Sequence, residues 1–166
     1  MFSPTSLNFA LGMIAEGAKG ETKEVLCNYL GTDDFASYAK EYLNKIKEYN
    51  TEDESYGYKS KLKIADAVWV DNNLTLQEEF KNSVTNGFGA EVENVDFSAA
   101  EKTCGIINSW CDKNTEGLIP KIITPDLIND TTGLCLTNSL YFESGWSGEP
   151  LSLIHISEPT RLALIS

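Results

Sequence analysis

The chain has 166 residues, room for one domain of ordinary size, and 42% of them are hydrophobic against 23% charged, with three Trp, seven Tyr and seven Phe. Such a composition can build a packed core and excludes disorder, collagen and fibre. Thirteen Lys and Arg against twenty-five Asp and Glu leave a net charge of −12, so the summed field repels nucleic-acid phosphates and anionic membrane surfaces, and no run reaches the roughly 18 apolar residues of a membrane span.

In chain order, Met1 and Phe2 run straight into Ser3-Pro4-Thr5-Ser6 without the basic-then-apolar pattern of a secretory signal. Ser3 and Pro4 read as an N-cap and first helical residue. Leu7, Ala10, Leu11, Ile14, Ala15 and Ala18 then recur at helical spacing as the expected buried face, and Gly17 and Gly20 sit where that helix should stop. A short second helix carries Thr22 near its start, Val25, Leu26, Tyr29 and Leu30 on its face, and Gly31 as its stop. A third runs from about Asp34 to Tyr49, and the acidic stretch Asn50 to Gly57 is a loop.

Leu62 to Val70, LKIADAVWV, is apolar on both faces of a period-two pattern, as in a strand covered on two sides. Asp71-Asn72-Asn73 turns the chain. Leu76 to Phe88 reads as a helix and Glu91 to Phe97 as a strand with Val92 and Val95 inward. Ser98 is expected to cap a longer helix through Asn114, with Ile106, Ile107, Trp110 and Cys111 on its inner side. Gly117, Pro120 and Pro125 break the chain before Leu134 to Phe142, LCLTNSLYF, a buried strand interrupted by Asn138. Helices first, then strands interleaved with helices, predict an α+β fold with an incomplete sheet.

The composition shifts at Pro150. Leu151 to Arg161 resembles the in-frame translation of an adapter used in sequencing libraries; residues 151–166 are therefore expected to be a non-native tail and 1–150 the folded domain. His155, the chain's one histidine, falls in that tail. Without it, Ser-His-Asp and Cys-His catalysis lose their base, so no enzyme is expected.

The remaining chemical signals are weak. Cys27, Cys104, Cys111 and Cys135 form no C-x-x-C pair and have no neighbouring histidine, so no metal or other cofactor is expected. Cys104 and Cys111 share a helix face but stand about 10.5 Å apart along its axis, beyond disulfide reach; all four read as buried small hydrophobes. Gly12 and Gly17 have phosphate-loop spacing, but Ala18-Lys19-Gly20 follow and a helix precedes. G-x-S-x-G is absent. Lys59, Lys61 and Lys63 alternate along a strand as a solvated face too small for nucleic acid. Asn73-Leu74-Thr75 and Asn129-Asp130-Thr131 fit the glycosylation pattern, relevant if the protein is secreted from a eukaryotic cell.

Four segments together resemble the serpin family: FSPTSLNFALGMIAEGAKGET (Phe2 to Thr22), LKIADAVWVD (Leu62 to Asp71), INSWCDKNTEGLIPKII (Ile107 to Ile123) and LTNSLYFESGW (Leu136 to Trp146). They are similar, in order and spacing, to the family's helix B, second strand of sheet A, helix F with its exit, and third strand of sheet A. The resemblance covers essentially residues 1 to 150 and implies a partial serpin-like α+β fold, helix B through that third strand. It places Ser3, Ser6 and Asn138 at the shutter, where sheet A parts, and Trp146 at the breach, where an inserting loop first enters. For Ser3 plain helix capping, for Asn138 a buried amide bonded to a neighbour, and for Trp146 ordinary core packing are the alternatives.

The resemblance further implies a suicide-substrate inhibitor of a serine protease, less often of a cysteine protease, whose cleaved reactive loop enters sheet A as a new strand. A non-inhibitory carrier, storage protein or chaperone is the alternative. The family's reactive loop, hinge and shutter histidine have no counterpart in the 150 residues, so the fragment itself is expected to be inactive. The strand Leu134 to Phe142 is expected to present an open apolar edge, giving poor solubility or a molten, oligomeric state. The helix resembling helix D carries Lys40, Lys45 and Lys47 interleaved with Glu41 and Glu48, so no strong glycosaminoglycan site is expected. Family resemblance favours an extracellular location, an intracellular one being the alternative.

Overall fold

A computed structural model describes residues 3–50 and 60–144. Three helices come first, α1 (Pro4–Gly17), α2 (Gly20–Leu30) and α3 (Phe35–Tyr49), followed by β1 (Ser60–Asp71), α4 (Glu78–Phe88), β2 (Glu91–Val95), α5 (Ala100–Asn114), a 3-10 turn at Pro125–Leu127, and β3 (Leu134–Ser144). The expected α+β layout is what forms. β1 is the middle strand, parallel to β2 and antiparallel to β3, with Asp66 opposite Asn138 and Val68 opposite both Val92 and Leu136.

β1 is apolar on both faces because both faces are covered. Ile64, Val68 and Val70 join Phe9 and Met13 of α1, Phe35 and Ala39 of α3, and Val84 and Phe88 of α4 in one cluster. Ala65, Ala67 and Trp69 meet Cys104, Ile107, Trp110 and Cys111 of α5 in the other. Edge-to-face aromatic contacts, Phe9 with Phe35 and Phe88 on one side and Trp69 with Trp110 at 6.1 Å on the other, set the spacing of the layers. Val92 and Val95 pair with Val68 and Asp71 and so face opposite layers, as residues three apart on a strand must.

Helix rotations depart from expectation where the pattern was too apolar to decide. In α1 the buried stripe is Phe9, Gly12, Met13 and Ala15, whereas Leu7 and Ile14 are exposed. Gly12 sets this rotation, because the Phe35 ring occupies the space a Cβ would need. α2 buries none of its residues; Val25 and Tyr29 are exposed, and Leu30 packs on the core. It ends on Gly31 at φ 75°, the left-handed conformation that glycine adopts without strain.

Caps also differ. Asp34 caps α3 by accepting from Ser37 N–H at 3.1 Å. Ser98, expected to cap α5, instead donates its Oγ–H to Asp96 Oδ1, and Ala99 occupies the cap without a side-chain bond; Thr103 Oγ1 closes that turn by donating to the Asp96 carbonyl at 2.6 Å. Ile106 is exposed rather than inward. Where α3 ends, Asn50 donates Nδ2–H to the Leu62 carbonyl and accepts from its N–H, tying the helix to β1. At the other end of β1, Asp71 accepts from Phe97 N–H just past β2, at 3.4 Å.

Candidate functional site

The middle of the sheet carries four polar residues where an apolar strand would suffice: Asp66 on β1, and Thr137, Asn138 and Ser139 on β3. Strand alternation divides them. Asp66 and Asn138 are paired and lie on the face covered by α1, α3 and α4, while Thr137 and Ser139 lie on the α5 face.

On the α1 face, Asn138 Nδ2–H donates to Asp66 Oδ1 at 2.8 Å. Asp66 is only 1% exposed, and its Oδ2 has no hydrogen-bond partner among the described residues. Burial pushes the carboxyl up to about 6, partly opposed by the bond from Asn138. The group therefore titrates just below neutrality inside an otherwise apolar layer. Its signal was the single acidic letter in LKIADAVWV, and sequence reasoning passed over it.

On the α5 face, Trp69 Nε1–H donates to Thr137 Oγ1 at 3.0 Å, satisfying both buried groups. Ser139 Oγ is buried with no partner among the described residues, as is Trp110 Nε1.

Ser3 caps α1, accepting from Ser6 N–H at 3.3 Å, so the two serines meet in the first turn of the helix. α1 packs across β3, but among the described residues the Asn138 side chain bonds Asp66 and neither serine. Trp146 and His155 lie outside the described residues. Asn73 and Asn129 are both exposed, in the turn after β1 and the turn before β3. All four cysteines are free thiols; Cys104 and Cys111 are buried, Cys27 and Cys135 only half-buried. Burial raises Cys104, Cys111 and Cys135, which keeps them protonated and unreactive.

Charged groups on the surface pair locally. Lys45 bonds Glu41 within α3, and Lys61 bonds Glu116 at 2.7 Å while lying 5.4 Å above the Tyr141 ring. Lys59 lies outside the described residues. An open groove between α1, α4 and β3 is lined by Ile14, Phe80, Leu134 and Leu136 with a Ser83–Glu16 bond of 2.7 Å at its side. A carboxylate is too weak a base to activate a serine hydroxyl, so that pair reads as a strap between α1 and α4.

The comparisons with known proteins agree on one family. The family model described as serpin (serine protease inhibitor) matches residues 1–149. Rice Serpin-ZXA is 35% identical over 147 residues, which cover 88% of this chain and 37% of the relative. Human neuroserpin is 32% identical over 154 residues, 90% of this chain and 36% of the relative. Among solved structures, that of Arabidopsis AtSerpin1 in its native stressed conformation superposes with a TM-score of 0.73 at 29% identity, over 86% of this chain and 36% of that one. The chain thus spans a little over a third of the length of the relatives it matches.

Proposed function

The chain belongs to the serpin family, and from that premise we propose that residues 1–150 are the N-terminal part of a suicide-substrate inhibitor of serine-type endopeptidases. Members of the family are in general protease inhibitors rather than catalysts. In this reading the protease attacks an exposed reactive loop of the whole protein, forms an acyl-enzyme, and is carried along as the cleaved loop enters the sheet beside β3. Residues 151–166 are taken as non-native, the 166-residue chain as inactive by itself, and the whole protein as extracellular.

The observation that carries the reading is the state of β3. It pairs with β1 along one edge, and its other edge pairs with no strand among the described residues. The polar pair Asp66–Asn138 bridges that edge strand and β1 beneath the sheet, which supports Asn138 in the shutter role. Ser3 and Ser6 are assigned to the same role at the helix start beneath the sheet, and Trp146 to the breach; polar side chains there can exchange partners when a strand enters, which an apolar layer cannot.

The test is to read the native transcript through the codon for Pro150 and to express the whole protein it encodes. Expected are a frame that departs from LSLIHISEPTR and a detergent-stable covalent complex with a chymotrypsin-like serine protease, formed by the whole protein and not by the 166-residue chain. A whole protein that is cleaved without trapping any serine protease would refute inhibition and favour the carrier, storage or chaperone role. A frame that ends as given would refute the assignment of the tail.

A further inference from the structure

We propose that Asn129, and not Asn73, is the residue at which this chain accepts an N-linked glycan; its occurrence in a cell rests on the extracellular reading above, the choice of site does not. Both residues head an Asn-x-Thr triplet without proline, and both are exposed. The triplet alone gives them equal standing.

Glycan transfer uses the side-chain amide nitrogen as nucleophile. Nδ2 attacks the anomeric carbon of a lipid-diphosphate-linked oligosaccharide. The carbon–nitrogen bond forms as the bond from that carbon to the diphosphate oxygen breaks. The lipid diphosphate leaves with the electron pair, and the Nδ2 proton passes to a carboxylate of the transferase. An amide nitrogen is a poor nucleophile because its lone pair is shared with the carbonyl. Donors on the carbonyl oxygen make the N–H more acidic and ease the loss of that proton.

Asn129 is arranged in this way. Thr131 donates both its backbone N–H, at 2.9 Å, and its hydroxyl, at 2.6 Å, to Asn129 Oδ1. The backbone is held separately, with Asn129 N–H donating to Thr132 Oγ1 at 3.1 Å and Thr132 N–H donating to the Asn129 carbonyl at 3.0 Å. Nδ2 is left without a partner among the described residues. Asn73 is arranged the other way round. Its Nδ2–H donates to Asp71 Oδ1 at 2.8 Å, and its backbone N–H donates to the same oxygen at 2.9 Å. Asp71 is 9% exposed and also accepts from Phe97 N–H, so the nucleophilic atom is drawn into the turn. Thr75 makes no bond to Asn73 among the described residues.

The test presents the folded whole protein, expressed from its native transcript, to a single-subunit eukaryotic oligosaccharyltransferase with its lipid-linked oligosaccharide donor, and reads occupancy at Asn73 and Asn129 by intact mass and peptide mapping. Expected is one glycan between these two sites, with Asn129 occupied about tenfold more than Asn73, the factor that one ordinary hydrogen bond represents. Asn129→Gln should cut transfer about tenfold, leaving only the residual at Asn73, and Asn73→Gln should leave it nearly unchanged. A urea-unfolded chain should bring the two sites near parity, because only the triplets then remain. Equal or greater occupancy at Asn73 on the folded chain, or no transfer to Asn129, would overturn the assignment. Transfer to Asn129 in the assay together with an unglycosylated protein in its own organism would overturn the extracellular reading and uphold the site.

Discussion

Asp66→Asn separates the charge of the buried carboxyl from its shape. The carboxyl is raised from 3.8 to about 6 in the fold, so the folded chain keeps its proton to higher pH than the unfolded chain does. Folding then takes up a proton between about pH 4 and pH 6, and stability falls as pH rises through that window and is level above it. The shift corresponds to about 3 kcal/mol of stability absent at neutral pH. The asparagine keeps an oxygen to accept from Asn138 and removes the charge, but it places an amide N–H where Oδ2 has no partner, at a cost of about 1 kcal/mol. The variant should therefore be more stable than the parent by about 2 kcal/mol near pH 7.5, and less stable by about 1 kcal/mol near pH 3. Pulse proteolysis across a urea series reads this at high dilution, where chains do not associate. The exposed carboxylates held low by local hydrogen bonds, at Asp34, Asp96 and Asp126 among others, titrate in both proteins and cancel in the difference. Parallel pH profiles for parent and variant would refute the account of Asp66 as a buried, charge-penalised group.

A Cβ at Gly87 would lie 2.7 Å from Ala36 Cβ and 3.0 Å from the Ala36 backbone, so Gly87→Ala should push α4 off α3 and lower stability by about 1–3 kcal/mol in urea unfolding; an unchanged midpoint would show that the two helices part freely. Trp69→Phe removes the donor to Thr137 and should cost about 1–3 kcal/mol, of which adding Thr137→Val recovers part by removing the orphaned hydroxyl; a double variant no better than the single one would deny that bond its role. Light scattering on the eluting 166-residue chain should show oligomers built on the β3 edge, and Leu134→Lys with Phe142→Lys, both at exposed apolar positions, should shift it toward monomer; a sharp cooperative melt from a monomeric parent would refute the association.

Most of the architecture was legible because it depends on patterns that few folds share. Alternation apolar on both faces, as in LKIADAVWV, requires layers on both sides, and α5 and the α1, α3 and α4 layer supply them. The glycine stop at Gly31 marked the end of α2 because that residue adopts positive φ; Gly89 ends α4 in the same way, a stop the sequence reading did not name. What was not legible depends on side-chain contacts that helical spacing and strand alternation do not encode, some across the chain and some within a single turn. The rotation of α1 is set by Phe35 against Gly12, and the cap of α5 was lost because Asp96 competes for the Ser98 hydroxyl. At the candidate site, Asn138 was visible as an interruption in β3, whereas Asp66 gained its meaning only from a register that sets it opposite Asn138, 72 residues away. Ser3 and Ser6 were legible as a helix start, and the bond between them is that of a cap.

The polar middle of the sheet lowers stability where stability is easiest to build. Asp66↔Asn138 and Ala65↔Ser139 are adjacent rows of one ladder, and each row leaves a buried oxygen without a partner among the described residues, Asp66 Oδ2 on the α1 face and Ser139 Oγ on the α5 face. Native interiors hold few such atoms, and each costs about 1–3 kcal/mol. Valine or leucine at these positions would pack into the clusters that already flank them and remove both penalties. Among the described residues these unpartnered oxygens therefore fall on β1 and β3, the two strands nearest the open edge, whereas β2 carries Val92 into one layer and Val95 into the other. A sheet that must admit another strand gains from local weakness at this place, since polar groups left short of partners in the unexpanded sheet can find them after it opens. Under the proposed inhibitor reading this local weakness has a use, which a static sheet would lack.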